Sequence, residues 1–117
     1  TRRDLQKKAK ENRKPWDTAK DVDESAVITP LRQMSEVPSV ASGRIHLSQN
    51  GTVKQDADLS EMVWSVPEII ADLSTMYTLQ QGDVIYMGTP AGVGAVSRGD
   101  VLAGGVEGIG DFEVKIA

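Results

Sequence analysis

The sequence predicts a β-rich α+β domain with one main helix. Residues 44–48 and 111–116 alternate polar and apolar side chains, which is the period of a half-buried strand. Residues 66–77 repeat their apolar side chains at helical spacing. Nine of the 11 glycines fall from Gly82 onward, a density typical of tight turns between short strands. A chain of 117 residues is long enough for one domain with a modest core, since about two-thirds of its unfolded surface can be buried.

The basic residues are concentrated at the start of the chain. Residues 1–14 carry seven basic and two acidic side chains, a local charge of +5, whereas the whole chain carries −4. A basic arm can bind nucleic acid, but this one has no aromatic side chain to stack on bases, and the acidic remainder would repel a polyanion. We therefore expect a solvated helix face or loop here, and no nucleic-acid partner.

Composition also excludes several kinds of site and classes of protein. Without cysteine there is no disulfide framework, no thiolate zinc site and no cysteine nucleophile, which suits a cytoplasmic protein. No apolar run approaches the roughly 20 residues that span a bilayer, so we expect no membrane partner. The chain begins with Thr1 and continues directly in charged sequence, which leads us to expect a fragment of a longer protein.

Strands and turns are predicted in the first half of the chain. The apolar residues 26–28, closed by Pro30, indicate a short strand that ends in a turn. The alternating residues 44–48 lead to Asn-Gly at residues 50–51, the pair that best suits the two positive-φ positions of a type I′ turn. This pattern predicts a hairpin in which residues 52–55 form the second strand.

The main helix and a buried strand are predicted next. Ser65 is placed to cap a helix over residues 66–77, and Glu68 can reach back to the Ser65 amide. Pro67 lies in the first turn of this helix, where no N–H group is needed. Residues 84–87 are a continuous apolar run of strand length, which indicates a strand buried on both faces.

The residues alone offer few candidates for chemistry. His46 is the only histidine and shares the polar face of its strand with Arg44 and Ser48, so we expect a surface histidine. The glycine-rich loop, residues 88–94, lacks the ending of a phosphate-binding loop and alone indicates a connection between strands. Its threonine hydroxyl and free N–H groups after a buried strand nevertheless make it a candidate site for an oxyanion or carboxylate. Lys20 lies next to acidic residues, where a lysine is usually one half of a surface ion pair.

Five blocks of the sequence, taken in order, resemble the fumarylacetoacetate hydrolase family. They are Thr-Arg-Arg-Asp-Leu-Gln at residues 1–6, Lys-Pro-Trp-Asp-Thr-Ala-Lys at 14–20, Asn-Gly at 50–51, Asp-Leu-Ser-Glu-Met-Val-Trp-Ser-Val-Pro-Glu-Ile-Ile at 58–70 and Gln-Gly-Asp-Val-Ile-Tyr-Met-Gly-Thr-Pro-Ala-Gly-Val-Gly at 81–94. The resemblance runs through the whole chain and is nearest to the bacterial fumarylpyruvate hydrolases and acylpyruvate hydrolases. It implies that residues 1–117 are the carboxyl-terminal part of a single catalytic domain. The fold it implies is an incomplete β-barrel or roll, with the main helix packed against it.

The resemblance implies a metal-dependent enzyme of aromatic-compound catabolism. Its substrate would be fumarylpyruvate or another 2,4-dioxo acid, which is cleaved to pyruvate and a carboxylic acid with Mg²⁺ or Mn²⁺. The cation would neutralise the charge that develops on the pyruvate enolate as the carbon–carbon bond breaks. The family's metal ligands, two glutamates and an aspartate, would lie upstream of Thr1. No metal ligand is therefore expected in this chain, and the isolated 117 residues are expected to be inactive.

The same resemblance implies roles for residues of this chain at matching motif positions. Arg3 and Gln6 would contact the substrate, and Gln6 would also donate to the oxyanion formed when water adds to the 4-oxo carbon. Lys20 would be the catalytic lysine and the other oxyanion donor, each such donor contributing about 10²- to 10³-fold to the rate. Gly88 and Thr89 would bind the substrate carboxylate at the glycine-rich loop, so that Thr89 and Arg3 position the substrate rather than react.

Several alternatives stay open. The family also contains oxaloacetate decarboxylases and isomerases of hydroxylated dienedioates, which use the same metal chelation without attack by water. Asp21-Val22 replaces the Ser-Phe or similar pair that follows the lysine in many members, which leaves the substrate open. Taken alone, the chain would be a non-catalytic folding or dimerisation module. The family implies a homodimer, and Met62-Val63-Trp64 would lie either in its interface or, as we favour, in the core.

Overall fold

A computed structural model describes residues 1–117 of the chain and divides into two units. The first unit, Thr1–Leu31, holds two α-helices, and the second, Arg32–Ala117, holds one α-helix and a four-stranded sheet. None of the helices combines the length and the apolar character that a membrane span requires. With its antiparallel sheet and few helices, the structure confirms the predicted β-rich α+β class.

The helices of the first unit are α1, Arg3–Glu11, and α2, Asp17–Lys20. They meet through short side chains, since Ala9 on α1 is 8% exposed and Ala19 on α2 is 0% exposed. Arg2 N donates to Ala19 O at 2.9 Å, which ties the end of α2 to the start of α1. The lysines of α1 are exposed, so the basic arm is a solvated helix face, as the sequence predicts.

The second unit is built on an antiparallel sheet with the strand order β2-β1-β3-β4. Its strands are β1, Arg44–Gln49; β2, Thr52–Asp58; β3, Val101–Val106; and β4, Gly110–Lys115. Two short 3₁₀ helices, Met34–Glu36 and Leu59–Glu61, precede and follow the first pair of strands.

Both segments with strand periodicity form strands. β1 and β2 are the predicted hairpin, and Asn50 and Gly51 have φ angles of 52° and 78°, the positive pair that a type I′ turn needs. The predicted strand over residues 111–116 forms as β4, one residue earlier at each end, and in it Phe112 and Val114 are half-buried while Asp111, Glu113 and Lys115 are exposed. The alternation therefore predicted which side chains face inward.

The main helix, α3, spans Val66–Leu73 and is shorter than the predicted 66–77. Its predicted cap is confirmed, because Ser65 Oγ accepts from the Glu68 amide at 3.4 Å and Glu68 Oε2 accepts from the Ser65 amide at 2.7 Å. At the other end, the hydroxyl of Ser74 donates to the Ile70 carbonyl oxygen at 2.7 Å. The next two amides, of Thr75 and Met76, donate to the Asp72 and Leu73 carbonyl oxygens, three residues back, at 3.0 Å each, and the chain continues past Leu73 as a turn.

Two predicted strands do not form. The sheet contains β1 to β4 and nothing from residues 26–28 or 84–87. The predicted burial of residues 84–87 on both faces is also wrong, since Val84 is 56% exposed and Tyr86 is 64% exposed. An apolar run becomes a strand only where a neighbour supplies N–H and C=O partners, and no strand borders either run.

The modest core expected from the chain length is also wrong for these residues. No large side chain is fully buried, and Val63, which we expected in the core with Met62 and Trp64, is 94% exposed. Ile69 and Leu73 of α3, together with residues 77–79 and 83–86, line an open groove of about 620 Å³ instead of closing over one another. Most apolar burial therefore remains partial.

Candidate functional site

The glycine-rich loop, residues 88–94, lies against strand β2. Gly92 has a φ of +100° and approaches the Lys54 carbonyl group so closely that any side chain at this position would collide with it. Glycine is required there for the positive φ and for the close approach. Gly94 of the same loop has no positive φ and open space around it. Gly92 is therefore the point at which the loop docks on β2.

A β-bulge in β2 lies beneath this contact. Leu47 of β1 pairs with Gln55 and Ser48 pairs with Val53, which leaves Lys54 as the extra residue of β2. Because Leu47 and Ser48 point to opposite faces of β1, the bulge also directs Gln55 and Val53 to opposite faces. In an unbroken strand these two side chains would share a face. Accordingly, Gln55 is 9% exposed and Val53 is 55% exposed.

Gln55 connects β2 to the glycine-rich loop. Its Nε2 donates to Thr89 Oγ1 at 2.8 Å and to Pro90 O at 2.8 Å. Gln55 is the one buried polar residue of the chain, and no buried side-chain nitrogen or oxygen lacks a hydrogen-bond partner. A buried amide whose hydrogens are both bonded holds Thr89 and the following carbonyl in one arrangement.

Gly88 and Thr89 lie on the exposed side of this loop. Both residues are exposed, and Gly88 has a φ of +93°. The backbone N–H groups of residues 88–94 donate to no other group of the chain. A hydroxyl and several unbonded N–H groups on one exposed loop offer hydrogen bonds to an oxyanion or a carboxylate. The predicted anion-binding character of the loop thus has a geometric basis.

Arg3 and Gln6 lie one turn apart on α1 and contact each other. Arg3 Nη1 donates to Gln6 Oε1 at 2.6 Å. Since the guanidinium group occupies the amide oxygen, the Gln6 amide nitrogen keeps its hydrogens for another acceptor. Arg3 is exposed and Gln6 is half-buried, so both remain accessible on the helix.

Lys20 is the last residue of α2 and is exposed. Its Nζ donates to Thr1 Oγ1 at 3.0 Å. It forms no ion pair with Asp21 or Asp23, so the surface ion pair expected from its acidic neighbours is wrong. The ammonium group is therefore held by one neutral hydroxyl, and its charge is not offset by a carboxylate in contact.

His46 lies on the central strand β1, beside Asp56 of β2 and Gly105 of β3. It is half-buried, so the expected surface histidine is only partly correct. Hydrogen bonding from Arg44, at 2.7 Å, holds the pKa of Asp56 below its usual value, and the charges of Arg44 and His46 act in the same direction. This cluster is a cross-strand ion pair of the sheet, and its hydrogen bonds and ion pair do not involve the glycine-rich loop.

No group of three or more histidine, cysteine, aspartate or glutamate side chains in this chain is arranged to hold a metal ion. The acidic side chains with lowered pKa values, Asp4, Asp56, Asp58, Glu68 and Asp100, each accept hydrogen bonds from the chain itself. Their lone pairs serve caps, turns and strand pairs. The residues present therefore do not fit a divalent metal centre.

Sequence reasoning missed Gln55 as part of the site. The residue stands in a polar stretch of β2, and its parity with Val53 predicts a shared face. Only the bulge at Lys54 reverses that orientation, and nothing in the local sequence marks it. The glycine-rich composition of residues 88–94 indicated the loop, but not which of its glycines docks on β2.

Comparisons with known proteins are consistent with the predicted resemblance. A family model described as "Fumarylacetoacetate (FAA) hydrolase C-terminal" matches residues 1–117. The chain is 49% identical to a fumarylpyruvate hydrolase of Ralstonia sp, over 99% of this chain and 60% of that protein. It is 34% identical to the mitochondrial oxaloacetate tautomerase FAHD1 of Rattus norvegicus, over 99% of this chain and 52% of that protein.

A solved structure extends this likeness to three dimensions. The crystal structure of fumarylpyruvate hydrolase from Pseudomonas aeruginosa, in complex with Mn²⁺ and pyruvate, matches the chain with a TM-score of 0.96 and 39% identity. The match covers 100% of this chain and 50% of that one. The chain thus spans between half and three-fifths of the length of these relatives.

Proposed function

Because the chain belongs to the fumarylacetoacetate hydrolase family, we propose that it is the carboxyl-terminal part of the catalytic domain of a metal-dependent hydrolase. The enzyme would cleave fumarylpyruvate, or another acylpyruvate, to pyruvate and a carboxylic acid in the breakdown of aromatic compounds. The 49% identity to a fumarylpyruvate hydrolase supports this reaction. The Pseudomonas aeruginosa structure, which holds Mn²⁺ and pyruvate, supports a divalent metal and a 2-oxo acid ligand.

The observation that carries the proposal is the exposed Thr89 hydroxyl in a loop docked on β2. The loop has unbonded N–H groups, its Gly92 lies against the Lys54 carbonyl, and Thr89 is held by Gln55. A substrate carboxylate accepts hydrogen bonds from such donors without moving them. Gly88 and Thr89 therefore bind and orient the substrate, a contribution that is mainly entropic.

The other roles fall on residues of the first unit. Gln6 has its amide nitrogen free because Arg3 occupies its oxygen, and Lys20 carries a positive charge that no carboxylate in contact offsets. Both donate to the oxyanion that forms when water adds to the 4-oxo carbon of the substrate. Arg3 orients Gln6 and attracts the substrate's negative charge.

The metal, Mg²⁺ or Mn²⁺ in this proposal, is not held by residues of this chain, since they do not form a divalent metal centre. Its ligands belong to the part of the catalytic domain outside residues 1–117. Equilibrium dialysis of residues 1–117 against Mn²⁺ tests this point. We expect no tight binding and no catalysis by the isolated residues, and tight stoichiometric binding would contradict the proposal.

The experiment for the reaction uses protein expressed from the complete reading frame. We expect the enol absorbance of fumarylpyruvate to decay in Mg²⁺ or Mn²⁺, with pyruvate appearing in equal amount, and EDTA to abolish the decay. Decay without pyruvate, or decay that survives EDTA, would contradict the proposed hydrolysis.

A second candidate is keto–enol conversion of oxaloacetate, which the 34% identity to an oxaloacetate tautomerase supports. Decarboxylation of oxaloacetate and isomerisation of a hydroxylated dienedioate stay as alternatives, and all three reactions act on a bound 2-oxo acid or its enol without attack by water. Stable fumarylpyruvate in the metal-loaded protein, together with conversion of oxaloacetate or the dienedioate, would shift the proposal to this chemistry. The role of the glycine-rich loop would be unchanged.

We further propose a cytoplasmic homodimer. The absence of cysteine suits a reducing compartment. Val63 is 94% exposed and Trp64 is 49% exposed, and in this proposal a second copy of the protein covers these apolar side chains. Sedimentation of the complete protein and of its Val63→Glu variant tests the interface. We expect the complete protein to be a dimer and the Val63→Glu variant to dimerise more weakly. A variant that dimerises as well as the parent would show that Val63 is not in the interface.

A further inference from the structure

We propose that Gln55 is a positioning residue that makes Thr89 a hydrogen-bond donor and so selects the anionic end of the substrate. The inference rests on the proposed function for the role of Thr89. It adds a residue that touches no substrate and acts only through the threonine. Its basis is the pair of hydrogen bonds from one buried amide to the glycine-rich loop.

The identity of the donor follows from the partners. The Gln55 side chain bonds Pro90 O, and a backbone carbonyl oxygen only accepts, so the atom facing it is the amide nitrogen. The same nitrogen lies 2.8 Å from Thr89 Oγ1. An amide nitrogen does not accept, and the hydroxyl oxygen therefore accepts from Gln55.

This arrangement determines where the threonine hydrogen points. The Thr89 hydroxyl cannot donate to Gln55, and it donates to no other group of the chain. Its hydrogen is directed to the exposed side of the loop, where the N–H groups of residues 88–94 are also unbonded. A ligand at this point meets the Thr89 hydroxyl and several unbonded N–H groups, a set of donors that favours a carboxylate over a neutral amide or alcohol.

Burial keeps the arrangement in place. Gln55 is 9% exposed, and the bulge at Lys54 directs it inward toward the loop. Gly92 docks on the carbonyl of the bulge residue itself, so the strand distortion that orients Gln55 also holds the loop. If the amide turned over, its oxygen would face the Pro90 carbonyl oxygen with no hydrogen between them, so the hydrogen bond to Pro90 O would be lost and two acceptors would repel, a costly change in a buried position.

The test variant is Gln55→Glu in the complete, metal-loaded protein. An ionised carboxylate accepts only, so it would take the Thr89 hydrogen and present a negative charge near the substrate carboxylate. We expect KM for fumarylpyruvate to rise about 10- to 100-fold, the effect of losing a hydrogen bond to a charged group, with kcat changed less than about threefold. Gln33→Glu, at an exposed residue, adds the same charge and serves as the control, with KM unchanged.

The pH profile separates this role from a structural one. Protonation turns the introduced carboxyl group into a donor. The ratio of KM in Gln55→Glu to KM in the parent, measured at the same pH, should therefore fall toward one as the pH is lowered. A merely structural defect would not recover in acid. A pH-independent excess of KM would overturn the proposal, as would an unchanged KM.

A second variant keeps the proposal testable if Gln55→Glu does not fold. Gln55→Met has similar length and no donor, and it is compared with Thr89→Val and with the double variant. If Gln55 acts through Thr89, the losses in kcat/KM should be strongly non-additive. Additive losses would overturn the inference.

The affinity for pyruvate, measured by calorimetry on the Mn²⁺-loaded protein, does not depend on the hydrolase reaction. Weaker pyruvate binding in Gln55→Glu than in Gln33→Glu would support the positioning role even if the parent does not cleave fumarylpyruvate. Equal pyruvate affinity in the two variants would overturn it even if the parent is an active hydrolase.

Discussion

The two regions that we propose contact substrate differ in how the chain holds them. Thr89 is fixed by a buried amide and by a loop glycine docked on a strand. Lys20 is exposed, and its ammonium group donates to a single hydroxyl, that of Thr1. An exposed lysine keeps much of its rotamer entropy, about 2 kcal/mol, whereas a side chain locked by buried partners is preorganised. The proposed carboxylate-binding region is thus organised within the chain, and the proposed catalytic lysine is not.

The largest expected effect comes from the loosely held residue. Lys20→Ala in the complete protein should lower kcat about 10²- to 10³-fold, because it removes a charged donor to the oxyanion. Its melting temperature should stay within a degree or two of the parent, since the side chain is exposed and makes one surface hydrogen bond.

Steady-state kinetics and thermal melts check this, with Lys10→Ala as an exposed control on α1. An active Lys20→Ala protein would remove this residue from the mechanism. A strongly destabilised one would show that the chain holds Lys20 more firmly than its single hydrogen bond indicates.

A smaller effect is expected where the loop docks. Gly92→Ala introduces a side chain against the Lys54 carbonyl group and at a positive φ, so the loop must move. KM should rise about tenfold or more as the loop donors shift, and the free energy of unfolding should fall by more than about 1 kcal/mol.

The matched control is Gly94→Ala, in the same loop but with open space around it and no positive φ. Kinetics and urea unfolding of the two variants provide the measurement. If the two behave alike, the loop is not organised by its contact with β2, and the contrast with Lys20 disappears.

The smallest effect concerns acid stability. Hydrogen bonds from Asn50, Ser97 and Gln49 hold the pKa of Asp100 below its usual value. Its contribution to stability is therefore complete above the unfolded pKa of about 4 and is lost as the pH falls through the lower folded pKa. When the pH is lowered from about 5 to about 3, a range that includes this unfolded pKa, the free energy of unfolding should fall further in the parent than in Asp100→Asn.

Urea unfolding at a series of pH values measures this difference. Equal acid sensitivity of the two proteins would mean that the carboxylate does not stabilise the hairpin turn. The neutral contacts of Gln55 and Gly92 would then be the interactions that organise this unit.

Prediction from sequence succeeded where the interactions are between residues close in the chain. The hairpin follows from two adjacent positive-φ residues, and the helix start follows from a capping box whose two partners, Ser65 and Glu68, are three positions apart. The family and its candidate residues were also recognisable, since the motifs are contiguous stretches of sequence. The roles of Arg3, Gln6, Lys20, Gly88 and Thr89 stay predictions until the variants are measured.

Prediction failed where a segment needed a partner elsewhere. Residues 84–87 have the composition of a buried strand, yet no strand lies beside them and Tyr86 is 64% exposed. The end of α3 was also misplaced, because the apolar period continues to residue 77 while the Thr75 and Met76 amides bond carbonyl oxygens only three residues back, which ends the helix in a turn. The periodicity of a sequence shows which side chains are apolar. It does not show which other segments of the folded protein pack against them.

The sequence by itself determined the β-rich class, the hairpin turn, the cap of α3 and the family, because each depends on backbone preferences or motifs within a few residues. Only the tertiary structure decided that Gln55 faces the glycine-rich loop. That contact joins residues 34 positions apart and depends on a one-residue bulge that reverses the strand parity. Long-range pairing and burial are properties of the folded chain. A buried hydrogen bond stabilises an arrangement only after folding has brought its two partners together and removed water from around them.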